Sequence, residues 1–164
     1  MKRTRYLLYL INPRRTYRFH WDLKEVCRIM DRRTAIHPLA LPTVAALTPS
    51  QYEIRILDEE MGAIDYDTLP RPDIVGLTAV VPNLTRAFAI ADRYRENGVP
   101  VVMGGAQASF NVEECLKHCD SVVRGEAEGA WQRCLGDFEK GRREKGSKRT
   151  EPLAFSTPPR CLRP

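Results

Sequence analysis

The sequence predicts a doubly wound α/β domain, with a five-stranded parallel sheet in the flavodoxin-like (Rossmann-like) order 2-1-3-4-5. Three observations carry this. Short apolar runs alternate with helical stretches, the pattern of a parallel sheet with right-handed crossovers. Four of the five runs are apolar nearly throughout, as strands covered on both faces must be. The chain has 164 residues, enough for one sizeable core with irregular ends.

The first run, residues 6–11, follows a basic start, as a signal peptide does. It is too short for an h-region and meets Asn12-Pro-Arg-Arg instead of a small-residue cleavage site. It therefore reads as a buried strand, and a cytoplasmic location is the default expectation. Residues 12–37 form a long insertion after it, a length that is often functional. A first helix spans 39–47, with Pro42 in its opening turn and Pro49 beyond its end. The second strand, 52–57, sets Ile54 and Ile56 against Glu53 and Arg55, so it belongs near an edge. Glu59-Glu60 then reads as a solvated turn. Leu69-Pro-Arg-Pro72 is too proline-rich for a regular helix, so the second crossover should be short or irregular. Strand three covers 74–77. The clearest helix is 83–97, with Asn83 as cap, an apolar stripe of Leu84, Ala87, Phe88 and Ala91, and a stop at Asn97-Gly98. Strand four covers 99–103. Asn111 can cap a short helix through His118, strand five covers 121–123, and a last helix spans 126–139 with Trp131 on its packing stripe.

The expected domain is residues 1–140, followed at 141–164 by a basic, then proline-rich, linker or tail. Hydrophobic residues make up 43% and no apolar run approaches a bilayer-spanning length, so no membrane partner is expected. The net charge of +5 is concentrated in residues 14–18, 28–33 and 140–149. No aromatics interleave the last run to stack bases, which argues against nucleic acid as the main partner. Cys27, Cys115, Cys119, Cys134 and Cys161 form no even framework and are expected to be reduced thiols.

In an open parallel sheet, ligands collect beyond the carboxyl ends of the strands. Strand one ends in Asn12-Pro13, strand three in Thr78-Ala79-Val80-Val81, strand four in Gly104-Gly105-Ala106-Gln107, and strand five in Arg124-Gly125-Glu126. A double glycine after a buried strand serves a tight turn, and it also lets a flat ligand approach the backbone with no Cβ in the way. Thr78 offers a hydroxyl beside it, and Val80-Val81 an apolar wall. Glu126 and Glu128 suit a helix start by the macrodipole alone.

Asn12-Pro13, the helix after His37-Pro38, Ile56-Leu-Asp58, Asp73-Ile-Val-Gly-Leu-Thr78, Val101-Val-Met-Gly-Gly105 and Val122-Val-Arg-Gly-Glu126 occur in that order. Together they resemble the N-terminal cobalamin (B12)-binding domain of B12-dependent radical SAM enzymes, over roughly residues 5–140. Pro158-Pro159-Arg160 is similar to the linker into that family's catalytic core. The resemblance implies a corrin lying across the sheet edge and a nucleotide tail entering beside the double glycine. Asn12, Thr78, Ala79, Val80, Val81, Gly104, Gly105, Gln107, Gly125 and Glu126 would bind the cofactor. A bulky residue at Gly105 should block the tail pocket without unfolding the domain. The function implied is a cobalamin-binding module for methyl transfer or a related radical reaction.

Two departures qualify this. Methionine-synthase-type B12 domains place Asp-x-His-x-x-Gly after the first strand to supply an axial histidine, whereas this chain reads Asn12-Pro-Arg-Arg-Thr-Tyr17. His20 lies in that insertion and reads as a surface residue rather than a ligand. The second departure concerns the Cys-x3-Cys-x2-Cys that holds a 4Fe–4S cluster. Cys115 and Cys119 have its first spacing, but Val122 stands third, so helix packing accounts for both. The cluster and S-adenosylmethionine would belong to a core outside these residues, in cis or in trans. Rival readings are a free-standing signalling or interaction module on the same fold, and a flavin or nucleotide binder. The first strand lacks the acidic pair of a phosphoreceiver, and no Gly-x-Gly-x-x-Gly or P-loop is present.

Overall fold

A computed structural model describes residues 5–16, 24–31 and 38–145. His20, Trp21, His37, Cys161 and the Pro158-Pro159-Arg160 segment lie outside the described residues. The five strands are β1 (Tyr6–Asn12), β2 (Tyr52–Asp58), β3 (Ile74–Thr78), β4 (Val101–Gly104) and β5 (Ser121–Val122). They pair in parallel in the order β2-β1-β3-β4-β5, as the sequence predicts. The alternating strand β2 is an edge, where Ile56 is exposed.

Side-chain alternation splits the sheet into two cores. Tyr9, Ile11, Val75, Leu77, Val101 and Met103 face one layer, covered by α3 (Leu84–Glu96), α4 (Ala106–Phe110) and α5 (Val112–His118). Leu8, Leu10, Ile74 and Val102 face the other, covered by α2 (Ala40–Leu47) and α6 (Ala127–Lys145). In α3 the buried positions Ala87, Ile90, Ala91 and Tyr94 recur at helical spacing. A short α1 (Lys24–Ile29) lies in the insertion, with Cys27 buried. The second crossover, residues 59–73, contains no helix, as its prolines predict. Tyr66 fills the vacancy, edge-on to Tyr94 at 6.1 Å between ring centres. Among the described residues, no helix is long and apolar enough to cross a membrane.

Several local expectations differ. Neither Asn83 nor Asn111 caps its helix through its side chain. The Asn83 side chain instead accepts from the Val80 amide at 2.8 Å and donates to the Pro13 carbonyl at 3.2 Å. It thereby ties the loops after β1 and β3 together. The helix α4, directly after the double glycine, was not anticipated, and α6 continues past Lys140 to Lys145.

Glu59-Glu60 is not a solvated turn. Glu59 is buried, and its carboxylate accepts from Arg86 at 2.6 Å, from the Tyr66 hydroxyl at 3.1 Å and from the Arg14 amide at 2.9 Å. Glu60 accepts from the Arg15 amide and guanidinium at 2.7 and 3.1 Å. Together the two carboxylates clamp the start of the insertion onto the end of β2.

Candidate functional site

An open pocket of about 290 Å³ lies at the carboxyl end of the sheet, between α2 and α6. Strand register explains its floor. Leu10, Gly76 and Val102 are neighbours across β1, β3 and β4, and Thr78 and Gly104 form the next pair toward the strand ends. All five line the pocket. The missing side chain of Gly104 leaves the sheet face open, with only Val123 nearby, whereas the space over Gly76 is taken by Leu10 and Trp131. Leu41, Thr43 and Val44 of α2 make one wall, while Ala127, Glu128 and Trp131 of α6 make the other. Val123, Gly125 and Glu126 add to the lining, which is mostly apolar with a few polar groups, the usual make-up of a small-molecule site.

The two glycines of the pair have different reasons to be glycine. Gly105 has φ +97°, and an added Cβ would stand 2.8 Å from the Ala79 carbonyl oxygen. The bare backbone allows the Ala79 amide to donate to Gly104 at 2.7 Å and the Gln107 amide to donate to Ala79 at 3.0 Å. Gly105 is thus required by loop-to-loop contact, and a bulky residue there would disturb the fold as well as the pocket. That corrects the expectation that substitution at Gly105 would spare folding. Gly104 is different: a Cβ there would meet only Val123, at 3.7 to 3.9 Å, which is ordinary contact.

Of the residues singled out from sequence, Thr78, Gly104, Gly105, Gly125 and Glu126 line the pocket. Val80 and Val81 are exposed in the loop after β3 and do not line the pocket. Ala79 is fully buried toward the opposite core, and Gln107 joins it through backbone. Asn12 lies at the end of β1, where its side-chain amide donates to Asp58 at 2.8 Å. Ser109 links the remaining loops: its hydroxyl donates to the Gly105 carbonyl at 3.1 Å and accepts from the Gly125 amide at 3.0 Å. Sequence reasoning missed Gly76, although a glycine inside an apolar strand is itself a signal of close approach. Trp131 is on its predicted packing stripe, yet it also lines the pocket.

His118, the one described histidine, lies against the other core. It stacks on Phe88 at 4.0 Å and contacts Asp92 at 2.9 Å. Cys115, Cys119 and Cys134 behave as packing groups. Burial pushes the Cys119 thiol up to about 12 and raises those of Cys115 and Cys134. Iodoacetamide at pH 8, read by peptide mass spectrometry, is therefore expected to leave Cys115 and Cys119 unmodified until denaturant is added. Rapid labelling of either in the native protein would contradict their placement.

Comparison with known proteins identifies the family. The B12 binding domain family matches residues 27–135. Bacteriochlorophyllide d C-8(2)-methyltransferase of Chlorobaculum tepidum is 39% identical over 123 residues, which is 73% of this chain and 27% of that protein. Bacteriochlorophyllide d C-12(1)-methyltransferase of the same organism is 31% identical over 137 residues, 80% of this chain and 29% of that protein. An uncharacterized methyltransferase of Pyrococcus horikoshii is 32% identical over 121 residues, 66% of this chain and 26% of that protein. The chain thus spans under a third of the length of these curated relatives. With the parallel sheet, the glycine-floored pocket and a match over most of the described residues, the chain belongs to the B12-binding domain family.

Proposed function

We propose that this chain is the cobalamin-binding module of a methyl-transferring enzyme, and that it works with a radical SAM core supplied in cis or in trans. The observation that carries the reading is the pocket itself, floored by Gly76 and Gly104 at the carboxyl edge of the sheet in a B12-binding domain. A flat heterocycle fits such a slot and a macrocycle does not. The slot would therefore hold the nucleotide tail, and the exposed apolar side chains of Val80 and Val81, in the loop after β3, would be available to the corrin. Thr78 supplies a hydroxyl at the mouth, and Ser109 holds the Gly105 and Gly125 loops in place around the tail. The bound cobalt would supply the methyl-carrying chemistry, while these residues orient the cofactor and shield its tail from water. The relatives' names support methyl transfer as the reaction class, and their greater length supports a catalytic region beyond this module.

The test is direct. Protein mixed with hydroxocobalamin and desalted is expected to carry corrin absorbance through the column in near-equimolar amount. A protein fraction that emerges without the corrin bands would remove the reading, and would leave an interaction module on the same fold.

A further inference from the structure

Trp131 stands where the pocket ends. Gly76 lies two residues inward of Thr78 along β3, about 6–7 Å deeper at the rise of a strand. An added Cβ at Gly76 would meet Leu10 Cδ2 at 2.9 Å and Trp131 Cη2 at 3.3 Å. The indole edge is therefore seated on bare strand backbone, and it closes the slot from within. Its position is fixed from the other side too. Trp131 Nε1 donates to Thr48 Oγ1 at 2.8 Å, and the Thr48 hydroxyl donates to the Val44 carbonyl at 2.7 Å. Thr48 ends α2, the helix that forms the facing wall. One buried side chain thus joins both walls and the floor.

We propose that Trp131 sets the depth of the pocket and forms the surface that a corrinoid's lower base meets, so that it determines the preference for tail-bearing over tailless corrinoids as well as packing the core. The proposal rests on the tail-pocket reading above. A purely structural tryptophan would change stability when replaced, but would leave the preference between tail-bearing and tailless corrinoids unchanged. A tryptophan that abuts the base changes that preference, because only a corrinoid with a tail reaches it.

The experiment titrates the unaltered chain, Trp131→Leu, Trp131→Phe and Thr48→Val with cobalamin and with cobinamide, which lacks the nucleotide tail. Affinities are read from corrin absorbance retained after equilibrium dialysis. Trp131→Leu is expected to weaken cobalamin about tenfold and cobinamide not at all, since only the base loses its contact surface. Thr48→Val keeps the indole but frees it, and about a threefold selective loss is expected. Trp131→Phe keeps an apolar ring of smaller reach and should fall between the two. If Trp131→Leu does not fold, the other two variants carry the test. A cobalamin-to-cobinamide ratio that stays at its unaltered value in every folded variant overturns the role of Trp131. An unaltered chain that binds both corrinoids equally overturns the tail-pocket reading instead, and the role of Trp131 falls with it.

Discussion

A Gly104→Leu chain is expected to lose cobalamin affinity by about a hundredfold while melting within about 5 °C of the unaltered protein. Gly104 is the last residue of β4 and shares a sheet face with Val102 and the pocket. It lies outside the left-handed region that holds Gly98, Gly105 and Gly125, so a side chain costs no backbone strain. Its Cβ would come no nearer than 3.7 Å to Val123, and the branch beyond it has only the open slot to occupy. If the tail buries roughly 100 Å² of apolar surface there, exclusion forfeits about 2.5 kcal/mol at about 25 cal/mol per Å². The neighbouring substitution behaves in the opposite way. Gly105→Ala adds a Cβ at 2.8 Å from the Ala79 carbonyl at φ +97°, and is expected to cost at least about 2 kcal/mol of stability. Titration with cobalamin and thermal melting of both variants separate the two glycines. Full cobalamin affinity in folded Gly104→Leu would show that the tail does not enter this slot.

The same pair shows what the sequence made legible and what it withheld. Strand order, the edge position of β2 and the strand ends that gather at the pocket follow from periodicity, because burial on both faces demands apolar runs. The division of labour between Gly104 and Gly105 does not. It depends on a carbonyl 26 residues earlier, in the loop after β3. Gly76 was readable in principle, since an isolated glycine in a buried strand needs a reason. What it faces is a tryptophan on the last helix, 55 residues away. A packing stripe says that Trp131 points inward, but not that the interior there borders a slot. Asn83 illustrates the competition for a polar side chain. Its position suits a cap of the adjoining helix, whereas the loop after β1 claims its amide. Glu59 shows a related effect: two adjacent carboxylates look solvated until Arg86, 27 residues on, returns across the same edge.

Glu59→Ala is expected to destabilise the fold by about 2–3 kcal/mol and to loosen the start of the insertion. The Glu59 side chain is 2% exposed and that of Arg86 30%, so deletion leaves a half-buried guanidinium without its carboxylate, together with an unpaired Tyr66 hydroxyl and Arg14 amide. The exposure of Arg86 keeps the cost below that of a fully buried pair. Glu59→Gln retains the shape and some of the acceptors, and should cost less. The same network makes stability depend on acid. Burial acts to raise the Glu59 carboxyl, but hydrogen bonds from Arg86, from the Arg14 amide and from Tyr66, with the charge of Arg86, hold it below the ordinary value. A carboxyl lowered in the folded state stabilises the protein fully above its unfolded value, about 4.3. That contribution fades as pH falls through the folded value. Urea midpoints measured from pH 7 down to pH 3 should therefore hold level to about pH 5 and then decline, with a shallower decline in Glu59→Gln. Parallel acid profiles for the two proteins would exclude Glu59 as a source of the loss. Because Arg14 follows Asn12 and Pro13 directly, the carboxylate also anchors the loop that leaves the site edge of β1. Glu59→Ala should then weaken cobalamin less than Gly104→Leu does, through a rim that has lost its clamp rather than a slot that has been filled.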